Sequence, residues 1–102
     1  MCGIVGIVDA GGVSHPLYYA LFALQHRGQE SAGIAVSNGE ALVCKKGMGH
    51  VDEVFPAEVI NGLPGHLAIG HTRYSTAGDT DLKNAQPLTV SCQKGQVAVA
   101  HN

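Results

Sequence analysis

The dipeptide Asn38-Gly39, set between two apolar alternating runs, restricts the fold more than any other feature of the sequence. Asn-Gly suits a type I′ turn, so residues 31–37 and 40–46 are expected to pair as an antiparallel hairpin. A second hairpin is expected from residues 87–92 and 96–102, joined through Gln93-Lys94-Gly95. Residues 3–9, rich in Ile and Val and closed by Ala10-Gly11-Gly12, read as a buried strand. Residues 66–71 read as another, after the loop Asn61-Gly62-Leu63-Pro64-Gly65. Ser14-His15-Pro16 signals a helix start, with Ser14 as N-cap and Pro16 near the first helical position. Leu17, Ala20, Leu21 and Leu24 fall on one face, and Gly28 is placed to end that helix. Short helical turns are expected over residues 50–60, divided by Pro56. The order strand, helix, hairpin, short helices, strand, hairpin predicts an α+β fold. Its sheet should be largely antiparallel, with the helix packed on one face.

The chain has 102 residues, enough for one small domain. Hydrophobic residues make up 45% and can fill a core. Aromatics are 5% and Trp is absent, so that core must be aliphatic and rich in Ala and Gly. A net charge of −2 gives no electrostatic footprint for nucleic acid or an anionic membrane. No apolar run approaches the ~20 residues that span a bilayer. No basic segment followed by a long apolar stretch opens the chain, so a cytoplasmic location is expected. Three widely spaced cysteines, Cys2, Cys44 and Cys92, suit a single catalytic thiol in a reducing compartment better than a disulfide framework. Cys44 and Cys92 sit in apolar strand patterns and are expected in the core. The chain stops on the apolar run Val97-Ala98-Val99-Ala100 without a cap or polar tail. Residues 1–102 are therefore expected to form one domain that is incomplete at its C-terminal end.

Cys2 directly follows Met1, and its small side chain favours methionine removal. Exposed as the N-terminus, it would carry a thiol of pKa ~8.5 and an α-amine of ~7.7–8.0 on one residue. A nucleophile beside its own base is an acyl-transfer arrangement. Position alone favours a small apolar residue opening a strand. Taken singly, Arg27 suits a cation at a helix C-terminus, Arg73 a rim salt bridge and Asn102 a turn. Gly3 and Gly6 lack the strand-before, helix-after order of a phosphate loop. The six histidines lack ligand spacing with paired cysteines, and no metal site is expected; His71 and His101 should orient loops through hydrogen bonds. Asp79-Thr80-Asp81 lacks the glycine and glutamate of a calcium loop.

Four ordered stretches change the weight of these residues. They are Cys2-Gly3-Ile4-Val5-Gly6, the run from His26 to Gly33, Gly70-His71-Thr72-Arg73-Tyr74-Ser75-Thr76, and Ala100-His101-Asn102. Together, and in register over the whole chain, they resemble the class II glutamine amidotransferase domain of the N-terminal nucleophile hydrolases. That resemblance implies an αββα sandwich of antiparallel sheets and hydrolysis of the glutamine side-chain amide. It assigns Cys2 as nucleophile and Asn102 as oxyanion donor. Arg73 would bind the glutamine α-carboxylate, Tyr74 and Thr76 would line the glutamine pocket, and Arg27 and Gly28 would form the loop beside the nucleophile.

Gln29-Glu30 and Tyr74-Ser75 favour the branch that delivers ammonia to phosphoribosyl pyrophosphate. Its product is 5-phosphoribosylamine, at the first step of de novo purine synthesis; glucosamine-6-phosphate synthase is the rival branch. A non-catalytic binding or scaffold fragment is the rival of a different kind. The resemblance also implies a following glycine, a later aspartate and a phosphoribosyltransferase domain with magnesium, none of them within these residues. An iron–sulfur cluster, carried by some members, would likewise have its ligands beyond Asn102, and no cofactor is expected in this segment. The parent is expected to be a homo-oligomer, and residues 1–102 alone are expected to show no measurable glutaminase activity.

Overall fold

Ile34 pairs with Lys45 on one side and Gly70 on the other, which makes its strand an inner one. The computed structural model describes residues 2–74 and 82–102. In chain order these form β1 (Gly3–Val8), α1 (Ser14–Ala23), β2 (Ser31–Ser37), β3 (Leu42–Met48), α2 (Val51–Val54), α3 (Ala57–Asn61), β4 (Leu67–Arg73), β5 (Leu88–Cys92) and β6 (Gly95–Val99). The first four strands make an antiparallel sheet of order β1-β4-β2-β3, and β5 pairs with β6 separately. The α+β reading holds.

Alternation decides which residues enter the core. Ala32, Ile34 and Val36 of β2 and Ala68 of β4 share one face of the sheet. They pack with Leu17 and Leu21 of α1, Val51 and Phe55 at α2, and Ile60 and Leu63 at α3. Val5 and Ile7 of β1 border the same cluster. Leu17 and Leu21 are fully buried, as their spacing requires. The opposite face receives the chain around β5 and β6. There Lys46 donates through Nζ to the carbonyls of Ala85 (2.8 Å) and Pro87 (3.3 Å), and the Leu42 amide donates to Gln96 Oε1 (3.1 Å). Ala35, Ser37, Leu67, Ile69 and Val97 border an open cleft of about 340 Å³ between the two sheets. Among the described residues the layers are therefore helices, a four-stranded sheet and a two-stranded one.

Four local readings need correction. The hairpin after β2 forms, but its turn is not type I′, because Gly39 has φ +94° and no described residue other than glycine, Asn38 included, has positive φ. Asn38 instead accepts through Oδ1 from the amides of Glu40 (2.9 Å) and Ala41 (2.8 Å), and its own short side chain folds the four-residue loop. Val13, not Ser14, occupies the N-cap of α1; the Ser14 hydroxyl donates to the Leu63 carbonyl and ties the helix to the segment after α3. The α-helix ends at Ala23 and a 3₁₀ turn spans Gln25–Arg27, so Gly28, extended at φ −169°, is not a left-handed cap. The final hairpin is shorter than expected, turning through Gln93 and Lys94 into Gly95 at φ +129°.

Candidate active site

Gly3 pairs with Thr72, so Cys2 comes to rest beside the outgoing end of β4. Its Sγ lies 4.0 Å from the Tyr74 carbonyl, at the long limit for a thiol donor. The Cys2 nitrogen donates to Asn102 Oδ1 at 3.2 Å, across a sequence separation of 100 residues. Arg27 Nε donates to the Cys2 carbonyl at 2.9 Å. Asn102 and Arg27, both distant in sequence, thus hold the nitrogen and the carbonyl of Cys2, and the residue is half-buried.

The loop between α1 and β2 frames this corner. A methyl group at Gly28 would lie 2.5 Å from Arg73 C and 2.6 Å from Arg73 O, so only glycine lets the loop meet the end of β4. Gln25 braces the loop, donating through Nε2 to the Gly28 carbonyl and accepting at Oε1 from the Val51 amide, both at 2.6 Å. The Glu30 amide donates to the Arg73 carbonyl at 3.1 Å. The Glu30 carboxylate receives Arg73 Nε at 2.9 Å, with both side chains about 85% buried (16% and 15% exposed). Arg73 Nη1 donates to the Asn84 carbonyl at 3.1 Å. The planar fork is thereby oriented, with Nε and one Nη1 N–H committed. Tyr74 is exposed and, with His26, Gly28, Gln29 and Glu30, borders an open cavity of about 440 Å³. Thr76 lies outside the described residues.

His71 and His101 form the remaining part of the corner. The buried His71 ring sets Nε2 3.0 Å from the His101 carbonyl, and Gln86 Oε1 accepts from the His101 amide at 2.6 Å. Burial pushes the His71 pKa below its ordinary 6.5, the hydrogen bond to His101 opposes that, and the charges of Arg73 and His101 add to the lowering. The unfolded chain therefore binds this proton more readily than the folded one. His71 should cost no stability above about pH 6.5, then destabilise progressively as pH falls through 6.5 toward its folded-state value. Thermal unfolding of wild type and His71→Gln should diverge below pH 6.5 in favour of the variant; a constant difference from pH 8 to 5 would contradict this.

No protein-family profile matches the chain. The amidophosphoribosyltransferase of Methanothermobacter thermautotrophicus is 50% identical over 104 residues, covering 99% of this chain and 22% of that protein. The solved structure of the allosteric regulatory enzyme of purine biosynthesis superposes with a TM-score of 0.87 at 41% identity, over 96% of this chain and 21% of its own. Glutamine phosphoribosylpyrophosphate amidotransferase from B. subtilis, solved with ADP and GMP, gives 0.78 at 43% identity, over 99% and 21%. Over almost its whole length the chain matches amidophosphoribosyltransferases at about half sequence identity. It spans about a fifth of the length of these relatives, and its fold is that of the N-terminal nucleophile hydrolase domain.

Within this segment, the structure brings Arg27 and Asn102 into direct contact with Cys2 and sets Gly28 under Arg73. Sequence reasoning missed Glu30 as the partner of Arg73, although it stood in the quoted stretch after Arg27-Gly28. It also missed Gln25 and Gln86. Gln25 immediately precedes that stretch, whereas Gln86 gave no signal in an irregular polar segment. Cys92 is exposed rather than in the core, because nothing among the described residues packs over that side of the β5–β6 ribbon. Cys44 is half-buried, and burial pushes its thiol pKa up, with Lys46 partly offsetting. That makes Cys44 a poor nucleophile beside Cys2. Among the described residues no three His, Cys, Asp or Glu side chains converge on a metal position. No described helix is long and apolar enough to cross a membrane.

Proposed function

We propose that Cys2, freed of Met1, is the nucleophile of a glutamine amide hydrolysis. The observation that carries this reading is the 3.2 Å contact between the Cys2 nitrogen and Asn102 Oδ1. It joins the acyl-transfer nucleophile to a carboxamide that can stabilise the oxyanion. The thiol proton passes to the α-amine as sulfur attacks the amide carbon of glutamine. Asn102, anchored through its oxygen, keeps both Nδ2 protons for the negative oxygen that develops. Collapse of the tetrahedral intermediate expels ammonia with the proton held by the amine. Water then cleaves the thioester, giving glutamate and the free thiol.

Arg27 contributes by holding the Cys2 carbonyl, which prevents the terminal residue from swinging away. Arg73 meets the substrate α-carboxylate with the N–H groups that Glu30 and Asn84 leave free, while Tyr74 and Thr76 line the pocket. In the whole enzyme the ammonia reacts with phosphoribosyl pyrophosphate to give phosphoribosylamine and pyrophosphate. The magnesium for that step, and the iron–sulfur cluster of those members that carry one, belong to the four-fifths of the relatives that this chain does not span. The setting we propose is the cytoplasm.

Treating the full-length protein with diazo-oxo-norleucine tests the reading. Peptide mass analysis should find one adduct, on Cys2, in material that has lost Met1, with activity falling in proportion. An adduct on Cys44 or Cys92 with Cys2 unmodified, or full activity in protein that retains Met1, would overturn it.

A further inference from the structure

We infer that His71 and Gln86 are positioning residues for the oxyanion amide of Asn102, an inference that rests on the glutaminase reading above. Asn102 lies three residues past the end of β6, is exposed, and belongs to no helix or strand. Regular structure therefore does not hold it. What holds it is the residue before it, whose main chain is caught from both sides: the His101 amide donates to Gln86 Oε1 at 2.6 Å, and the His101 carbonyl faces His71 Nε2 at 3.0 Å. With those two groups fixed, the Asn102 backbone can place its side chain in few ways. The contact of Oδ1 with the Cys2 nitrogen selects one of them.

Both anchors are rigid for reasons independent of Asn102. His71 is fully buried on β4, paired with Ile4 on one side and Gly33 on the other. Gln86 sits between the buried Ala85 and Pro87, its carbonyl pressed against Gly33, and Lys46 grips the carbonyls on either side of it. To donate to a carbonyl, His71 must carry its proton on Nε2, which leaves Nδ1 a bare acceptor. Among the described residues Nδ1 is buried and has no partner. A buried nitrogen left unsatisfied is costly, and an apolar ring would avoid the cost. What an apolar ring would forfeit is the bond to His101, the residue that carries the catalytic amide.

The test is steady-state glutaminase kinetics on the full-length protein. Because a displacement of about 1 Å can cost around 10²-fold in rate, His71→Leu and Gln86→Leu should each lower kcat roughly 10–100-fold. The KM for glutamine should change by less than about threefold, since neither residue is placed on the substrate. His71→Gln keeps an N–H donor and Gln86→Glu keeps an acceptor, so each should recover most of the kcat. Should His71→Leu fail to fold, the half-buried Gln86 and its two variants carry the comparison. Wild-type kcat in Gln86→Leu, or Gln86→Glu no better than Gln86→Leu, would overturn the inference. Cys2→Ala run alongside separates the two readings. If it retains glutaminase, the proposed function itself fails; if it is dead while Gln86→Leu is unaffected, only the positioning role fails.

Discussion

Cys2→Ala in the full-length protein is expected to abolish glutamine hydrolysis, and Asn102→Ala to lower its kcat by about 10²–10³-fold, with the KM for glutamine far less affected. The two substitutions act on different parts of one step. Without the thiol there is nothing to form the thioester. Without the carboxamide the thioester can still form, but the tetrahedral oxyanion loses a prepositioned donor, a loss of about 3–4 kcal/mol in the transition state alone. Asn102→Asp sharpens the test. It keeps an oxygen for the Cys2 nitrogen yet replaces the donor by a negative charge beside the developing one, so it should be at least as impaired as alanine. Glutamate release, measured by a coupled assay, gives all three. Near-wild-type kcat in Asn102→Asp would remove Asn102 from the mechanism.

Gly33→Ala is expected to destabilise the protein by at least about 1–3 kcal/mol and to remove glutaminase activity, although Gly33 touches none of the reacting atoms. A methyl group there would fall on the Gln86 main-chain carbonyl, well inside van der Waals contact. A flexible side chain could swing aside, but a carbonyl cannot move without its backbone. Residues 85–87 would have to lift off β2, breaking the Lys46 contacts with Ala85 and Pro87 and the Gln86 hold on His101. Asn102 would then lose its placement. Gly6→Ala is the matched control, because its nearest neighbour would be an ordinary 3.8 Å away; it should change stability by less than about 0.5 kcal/mol. Denaturant unfolding of both variants, together with their glutaminase rates, checks the contrast. Equal stability of the two would refute the steric argument.

Which parts of this molecule were legible beforehand follows from how far each determinant reaches along the chain. The hairpin around Asn38-Gly39, the buried stripe of Leu17 and Leu21 and the break at Pro56 rest on neighbours within a few residues, and each appeared where its pattern put it. The ordered motifs singled out Cys2, Arg27, Gly28, Arg73, Tyr74, Thr76 and Asn102 only through the family resemblance they carry together, since each residue taken singly suited a structural role. Even local pattern failed where a side chain found a competing partner. Ser14 left its capping role for the Leu63 carbonyl, and Asn38 used its own amide oxygen to fold the turn.

The amino-acid sequence by itself determined the antiparallel α+β class and the set of chemically able residues, since periodicity and residue type are local properties. Only the tertiary structure decided that β4 lies between β1 and β2, that Glu30 orients Arg73, and that Gln86 and His71 hold the residue before Asn102. Those partners are 15 to 43 residues apart. A hydrogen bond over such a span exists only once sheet register and core packing have brought its two ends within 3 Å or so.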